Sequence, residues 1–240
     1  MRVHVGTSGY NYPEWRGHFY PEKWPAKEMF AFYAQAFRSV EINFTFYQNP
    51  TEKTVDGWRD QAPPGFIYAL KAPRRITHLK RLVECAEPLA FFWDRVTALR
   101  PHLGPILFQL PPNFRASVEK LQAFLSALPK EMRPAFEFRH DSWHSEEVYA
   151  VLRQAGAALC IADFGDKTTP LEPTARHGYF RLRDEGYEPA DIDRWAATIA
   201  DQADRWDDVF VFFKHEDEGK GPAFAKVFLE RLAARGLTTP

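Results

Sequence analysis

Short runs of apolar, β-branched and aromatic residues recur along the chain, and nearly every run is followed by a segment of helical periodicity. This alternation is typical of βα units, in which helices connect parallel strands. Strands are predicted over eight runs: 3–8, 40–44, 66–71, 106–110, 135–139, 159–163, 179–183 and 209–214. Helices are predicted over 27–37, 51–61, 87–99, 117–127, 145–155, 191–205 and 222–235.

Eight predicted strands are compatible with a closed barrel or an open sheet. An open, doubly wound sheet is the alternative, but no glycine-rich turn follows the first strand, and eight regular units favour closure. Segment 165–178 has two prolines, two glycines and no helical period. We therefore predict a single α/β domain over residues 1–240, a (β/α)₈ TIM barrel whose helix after strand 6 is short or missing.

Composition narrows the class of protein without naming a reaction. The chain has 45% hydrophobic and 26% charged residues, and its formal charge of -1 creates no overall field that would attract a polyanion. Nucleic acid is therefore not favoured as a partner, but it is not excluded, because a neutral total charge is compatible with a local basic patch. Without a signal peptide or an apolar run long enough to cross a bilayer, we expect a cytoplasmic protein with no membrane partner. Cys85 and Cys160 are expected to remain reduced thiols.

Polar residues stand late in the predicted strands, and residues two apart share a face of a strand. In a TIM barrel the catalytic and binding residues gather at this carboxyl-terminal end. The residues are Glu41 and Asn43 on strand 2, Lys71 on strand 3, Gln109 on strand 4, Glu137 and Arg139 on strand 5, Asp163 on strand 6, Arg181 and Arg183 on strand 7, and Lys214 on strand 8.

These charges allow a functional and a structural interpretation. They could form an ion-pair network that only fills the top of the barrel, but buried ion pairs stabilise a fold less than apolar packing does. A functional site is therefore favoured. Aromatic residues are dense in loop 9–25, where they form a packed lid or, less favoured, a stacking surface, and Tyr47 and Trp143 are expected to border the pocket. The glycine-containing loop 214–224 before the last helix could bind an anion, although its Glu216, Asp217 and Glu218 oppose this.

An ordered set of motifs resembles one family over nearly the whole chain. The motifs are GTSGYNYPEWRGHFYP, VEINFTFY, KAPRRITH, FQLPPNF, EFRHDSW, YFRLR and VFVFFKHEDEGKGPAFA. They are similar to those of the domain-of-unknown-function 72 family, the YecE-like proteins. The resemblance implies a TIM barrel and does not imply a reaction. It places the family's polar cluster on Glu41, Asn43, Lys71, Gln109, Glu137, Arg139, Trp143, Asp163 and Arg181.

The chain departs from the common pattern of that family in two places. Many members carry Arg-Leu-His-Gly on the seventh strand, where this chain has Arg181-Leu182-Arg183-Asp184. Many also carry Asn-Asn-Asp after the eighth strand, where this chain has His215-Glu216-Asp217. The substrate of one subgroup therefore does not transfer directly to another.

The leading hypothesis is an enzyme that binds a small, polar, anionic molecule, such as a phosphorylated metabolite, at the barrel mouth. Glu137 would be the general acid or base, and Lys71 an electrostatic stabiliser or a Schiff-base amine. The expected catalytic residues are Glu137, Lys71, Glu41 and Asp163, and the expected substrate-binding residues are Asn43, Tyr47, Gln109, Arg139, Trp143, Arg181, Arg183 and Lys214.

Two alternatives stay open at this point. The first is a metal-dependent phosphoesterase or nuclease that uses Glu41, Glu137, Asp163 and His215 as ligands. The second is a non-catalytic barrel that binds a ligand or a protein partner. The leading hypothesis needs no cofactor, whereas the first alternative requires a divalent metal. The sequence names no protein partner.

Overall fold

Parallel strands form a barrel in the computed structural model, which describes residues 1–164, 167–184, 186–215, 217–237 and 239. The strands are β1 (Arg2–Thr7), β2 (Ser39–Ile42), β3 (Ile67–Lys71), β4 (Leu103–Gln109), β5 (Pro134–Glu137), β6 (Ala158–Phe164), β7 (Lys167–Thr168), β8 (His177–Leu182) and β9 (Asp208–Phe213). Eight of these strands form the barrel, in the order β1-β9-β8-β6-β5-β4-β3-β2. The short strand β7 lies off this path and pairs with the end of β6.

Helices on the outside of the barrel connect most of these strands. They are α1 (Met29–Ala36), α2 (Phe44–Tyr47), α3 (Glu52–Gln61), α4 (Ala86–Thr97), α5 (Val118–Ser126), α6 (Glu146–Ala155), α7 (Pro189–Ala200) and α8 (Lys220–Ala234). The pattern predicted all of these helices except the single turn α2. In the part of the chain that the structure describes, no helix is long and apolar enough to cross a membrane.

The barrel closes between its first and second strands. Ser8 bridges Glu41 in parallel, and the Gly9 amide donates a hydrogen bond of 2.8 Å to the Glu41 carbonyl oxygen. Closure confirms the predicted TIM barrel. The described residues between β6 and β8 contain no helix and instead form β7, which pairs antiparallel with β6. This confirms, for those residues, the prediction of a short or missing helix there.

The barrel interior is mostly apolar along the strands and becomes polar at their carboxyl-terminal ends. Successive strand residues face opposite sides, so Phe210 and Phe212 of β9 point inward while Val209 and Val211 pack toward the helices. The apolar interior cluster consists of Ala69, Leu107, Ala135, Ala158, Cys160, Ala162, Tyr179, Phe210 and Phe212. Closer to the carboxyl-terminal ends of the strands, the inward-facing residues are polar; they are Glu41, Lys71, Gln109, Glu137 and Arg181.

Four of the predicted strands end before a candidate residue that was placed on them; the residues are Asn43, Arg139, Arg183 and Lys214. β2 ends at Ile42, so Asn43 precedes the single turn α2 and shares no strand face with Glu41. The strand ends there because Thr45 donates a hydrogen bond of 2.6 Å to the Lys71 carbonyl oxygen, a contact that draws the turn over β3. β5 likewise ends at Glu137, which leaves Arg139 in the following loop.

Two glycine-to-alanine substitutions should change the free energy of unfolding in opposite directions. The first tests the barrel closure and the second is its control. A Cβ atom on Gly6 would lie 1.9 Å from the Ser39 carbonyl oxygen, so Gly6→Ala should reduce the free energy of unfolding by about 3 kcal/mol or more. Gly57 lies inside α3, where a Cβ atom would be 3.8 Å from its nearest neighbour, on Gln61. Gly57→Ala should therefore stabilise the fold by about 0.5–1 kcal/mol. Urea unfolding measures both, and a Gly6→Ala protein as stable as wild type would contradict this account of closure.

Candidate functional site

One arginine joins two carboxylates across the inside of the barrel. The Arg181 Nε and Nη2 atoms donate hydrogen bonds of 3.2 and 2.9 Å to Glu41 Oε1, and Nη1 donates one of 2.5 Å to Glu137 Oε2. All three side chains are almost completely buried. Because Arg181 lies on β8, Glu41 on β2 and Glu137 on β5, the cluster fixes three separate parts of the barrel relative to one another.

Neutral groups complete the hydrogen bonding of both carboxylates. The Ser8 hydroxyl donates to Glu41 Oε1 and the Tyr179 hydroxyl to Glu41 Oε2, each at 2.7 Å, while Gln109 Nε2 donates to Glu137 Oε2 at 2.9 Å. Gln109 was expected in the site, whereas Ser8 and Tyr179 were missed. The available signal was the position of Tyr179, two residues before Arg181 on the same face of its strand.

The environment keeps both glutamates ionised. Burial by itself would raise the pKa of Glu41, but the charge of Arg181 and the donated hydrogen bonds outweigh it and lower that pKa. Burial also opposes ionisation of Glu137, whose pKa is nevertheless held well below its ordinary value by Arg181, Arg183 and Arg139. At neutral pH Glu137 therefore carries a negative charge and no proton.

A cavity of about 730 Å³ opens above Glu137 at the carboxyl-terminal ends of the strands. Arg139 Nε and Arg183 Nη2 contact Glu137 Oε1 at 3.1 and 3.3 Å from the side of this cavity. Among the described residues, its lining contains four cationic side chains and two carboxylates. The lining residues are Pro112, Glu137, Phe138, Arg139, Asp141, His144, Ala162, Lys167, Thr168, Thr169, Arg183 and Lys214.

Lys71 lies beside the ion cluster but outside its ion pairs. Its Nζ atom is 4.0 Å from the centroid of the Phe46 ring, and only 8% of the residue is exposed. Burial, followed by the charge of Arg181, lowers the pKa of Lys71 to about 8, against the opposing effect of Glu41 and Glu137. An amine in this state exchanges a proton near physiological pH.

The structure separates the four residues of the metal hypothesis. Asp163 accepts hydrogen bonds from the Tyr187 hydroxyl, from Trp195 Nε1 at 3.1 Å and from the Arg183 amide at 2.9 Å. His215 Nε2 lies 2.6 Å from the Asp184 carbonyl oxygen and its ring packs against aromatic side chains. Within the described ranges no group of three or more His, Cys, Asp or Glu side chains could hold a metal ion. Asp163 thus holds neighbouring elements together.

Three further candidates occupy positions other than those expected. Arg181, expected to bind the anion, is enclosed between the two glutamates and is not among the residues that line the cavity. Trp143 is buried, donates a 2.7 Å hydrogen bond to the Phe114 carbonyl oxygen and stacks behind Phe138. Tyr47, which is 71% exposed, lines a separate cleft of about 350 Å³.

The second cleft lies at the ends of β1 and β2. Asn43 and Tyr47 line it together with Tyr10 and Tyr12 of the first loop. Three other aromatic residues of that loop pack against the Phe32 ring of α1; they are Phe19, Tyr20 and Trp24. The buried Trp15 ring packs on Phe19 and Tyr20. This agrees with the packed interpretation of the loop. Glu216, expected to oppose an anion, lies outside the described residues.

A closed eight-stranded TIM barrel with a charged site at the carboxyl-terminal ends of its strands is the class that the fold and site define. Within that class, the chain belongs to the family described as "Protein of unknown function DUF72", whose model matches residues 4–240. The UPF0759 protein YecE of Escherichia coli strain K12 is 29% identical over 213 residues, which is 86% of this chain and 75% of the relative. The UPF0759 protein YunF of Bacillus subtilis is 23% identical, covering 96% of this chain and 94% of the relative.

Solved structures support the same assignment. A DUF72 family protein from Thermotoga maritima superimposes with a TM-score of 0.88 at 27% identity and covers 97% of this chain and 100% of its own. A D-allulose 3-epimerase from Methylomonas has a TM-score of 0.61 at 14% identity, covering 98% of each chain. The second likeness is one of fold alone.

Removing the guanidinium of Arg181 should show how much the ion cluster contributes to the free energy of unfolding. Arg181→Met leaves Glu41 and Glu137 buried without their common counterion, so the free energy of unfolding should fall by about 3–5 kcal/mol. Arg176→Met is the matched control, because Arg176 pairs with Asp207 at the surface and should change stability by less than about 0.5 kcal/mol. Urea unfolding at pH 7 compares them, and equal small losses would show that the cluster contributes little.

Proposed function

We propose that the protein is an enzyme that binds a small anionic metabolite, such as a phosphorylated or carboxylated compound, in the 730 Å³ cavity at the barrel mouth. One observation carries the proposal: Arg139 and Arg183 meet at a single oxygen of Glu137 and both line the cavity. Guanidinium groups are well suited to phosphate and carboxylate because their N–H groups form paired, charge-assisted hydrogen bonds.

The balance of charge supports an anionic ligand. Lys167 and Lys214 line the same cavity as the two arginines, so the described part of the lining has four cations and two carboxylates, those of Glu137 and Asp141. Glu137 is already shared between Arg181 and the two cavity arginines. A bound anion would add charge-assisted hydrogen bonds to guanidinium groups that Glu137 already holds at the wall of the cavity.

The roles of Glu137 and Lys71 differ from those expected from the sequence. A carboxylate whose pKa is held well below its ordinary value has no proton to donate at neutral pH, so the proposed general-acid role of Glu137 is withdrawn. In our proposal Glu137 orients the arginines instead. Lys71 belongs to the same layer of inward-facing polar residues as Glu137 but is not among the described residues that line the cavity. In our proposal it takes over proton transfer, because burial and the charge of Arg181 lower its pKa to about 8.

Thermal unfolding with anions tests the binding half of the proposal. Phosphate or a sugar phosphate at about 100 times its dissociation constant should raise the Tm by about 5–10 °C for a domain of this size. Arg183→Met should lose most of that shift, because it removes a guanidinium from the cavity. Arg176→Met, at the opposite end of β8, should keep it. No shift with any small anion, or equal shifts in both variants, would refute an anion site at this cavity.

Catalysis needs a separate measurement on an anion that binds. Its NMR spectrum, followed during incubation with the protein, should show conversion by wild type and at least about a hundredfold slower conversion by Lys71→Met, the usual order of loss when a proton-transfer group is removed. Tm shifts should remain similar in the two proteins. A bound anion that stays chemically unchanged with every plausible co-substrate supports the non-catalytic alternative.

A further inference from the structure

The second cleft, at the ends of β1 and β2, is lined mainly by aromatic rings and uncharged polar groups. Its aromatic lining residues are Tyr10, Tyr12, Phe44, Tyr47 and Trp58. Asn11 and Asn43 add two side-chain amides, and Thr54 adds a hydroxyl. The described part of this lining contains no Asp, Glu, Lys, Arg or His, whereas the cavity above Glu137 is rich in charge.

The wall of the cleft on the β1 side is held in place by hydrogen bonds and by a glycine. The Tyr12 hydroxyl donates a hydrogen bond of 2.7 Å to the Ser8 carbonyl oxygen, and the Tyr20 hydroxyl donates one to the Tyr10 carbonyl oxygen. Gly9 has a φ of 93°, and a Cβ atom there would lie 2.6 Å from the Tyr12 hydroxyl. Because this wall is already ordered, a ligand binds it at little cost in conformational entropy.

The part of the cleft that α2 forms presents two aromatic rings to solvent. Phe44 is 44% exposed and Tyr47 is 71% exposed, and the Phe44 ring packs edge to face with Trp58 at 6.4 Å between centroids. The turn itself is fixed by the 2.6 Å hydrogen bond from Thr45 to the Lys71 carbonyl oxygen. Large apolar side chains that are exposed together at one cleft are typical of a ligand-binding groove.

Two amides of the cleft have their hydrogen-bonding groups available. Asparagine is a favoured helix cap, but the Asn43 side chain, which directly precedes α2, forms no capping hydrogen bond. Among the described residues, neither the Asn43 amide nor the Asn11 amide is hydrogen-bonded to the protein. Each amide offers two N–H donors and one acceptor oxygen. Such groups match hydroxyls, which also donate and accept.

The absence of charge in the described lining selects among ring-containing ligands. Nucleotides and sugar phosphates carry phosphate, which binds where guanidinium or ammonium groups gather, and these groups line the cavity above Glu137 instead. A purely apolar ring would displace water from the amides of Asn11 and Asn43 without replacing its hydrogen bonds, which costs free energy. The ligand therefore needs apolar faces and a neutral polar edge.

We propose that the second cleft binds an uncharged sugar ring, such as a pyranose unit of a glycoside. A pyranose with equatorial hydroxyls has C–H groups on its ring faces, which pack on aromatic side chains, and hydroxyls at its edge, which reach amides. The cleft volume of about 350 Å³ is near the lower end of the range for ligand sites, about 300–1,000 Å³, and suits one or two rings. The site lies outside the proposed anion cavity, because the two share no described lining residue.

Saturation-transfer NMR on the intact protein tests this site with methyl β-glucoside, methyl β-galactoside and methyl β-xyloside at millimolar concentrations. At least one glycoside should receive saturation from the protein, most strongly at the C–H groups of its ring. Sorbitol carries similar hydroxyls without a ring, so it lacks a flat apolar face and loses more conformational freedom on binding. Its Kd should be at least about tenfold higher than that of the best glycoside.

Variants of exposed residues locate the binding. Tyr47→Ala removes a ring from the cleft and Asn43→Ala removes an amide, so each should raise the Kd of the best glycoside by about fivefold or more. Phe91→Ala is the matched control, because Phe91 is a 54% exposed aromatic residue of α4 that does not line the cleft. It should bind as wild type does. Equal Tm values check that the variants are folded.

The two sites fail independently in this design. Arg183→Met should bind the glycoside as wild type does, and Tyr47→Ala should keep the phosphate-dependent Tm shift, because each residue lines only one of the two sites. The sugar site is overturned if none of the glycosides binds, if sorbitol binds equally well, or if Phe91→Ala weakens binding as much as Tyr47→Ala. Binding of adenosine in place of the glycosides would assign the cleft to a nucleobase and would also overturn it.

Discussion

The guanidinium of Arg181 between Glu41 and Glu137 is the interaction on which the rest of the site depends. Three charges can remain buried inside a barrel only if they are paired and fully hydrogen bonded, and Ser8, Tyr179 and Gln109 complete that set. Because Arg181 takes both glutamates, Lys71 has neither as an ion-pair partner. The remaining Glu137 oxygen can then hold Arg139 and Arg183 at the wall of the cavity.

A separate ion cluster lies at the other end of the barrel, around the buried carboxylate of Asp208. Asp208, at the start of β9, accepts hydrogen bonds from Arg2 at 2.7 Å and from Arg133 at 2.9 Å, and it lies 3.4 Å from His4 Nε2. Hydrogen bonds and the nearby cations hold the pKa of Asp208 far below its ordinary value despite its burial. The amino-terminal ends of TIM-barrel strands serve stability, whereas the carboxyl-terminal ends carry sites. The Asp208 cluster fits the first role, and the cationic lining around Glu137 fits the second.

The sequence-based predictions were correct where they depend on local strand alternation and wrong where they depend on contacts between residues distant in sequence. Glu41, Gln109, Glu137 and Arg181 were placed together correctly because the alternation of a strand decides which face a residue occupies. Four residues were assigned to strands that end before them, because the contacts that end a strand come from distant residues; they are Asn43, Arg139, Arg183 and Lys214. The partners of Trp143 and Asp163 are also distant in sequence, and no local pattern indicates them.

The local pattern of the chain accounts for the eight barrel strands, the seven main helices predicted between them, and the polar layer at the mouth, since each depends on a period within one element or on the order of elements. Only the closed barrel decides which charges meet. Arg181 is 140 residues from Glu41 and 44 from Glu137, and the alignment of strands around the barrel makes it their common partner. That same alignment leaves Lys71 beside Phe46 and, in the part of the chain that the structure describes, without a carboxylate in ion-pair contact, because ion pairing depends on distances in space that no spacing along the chain records.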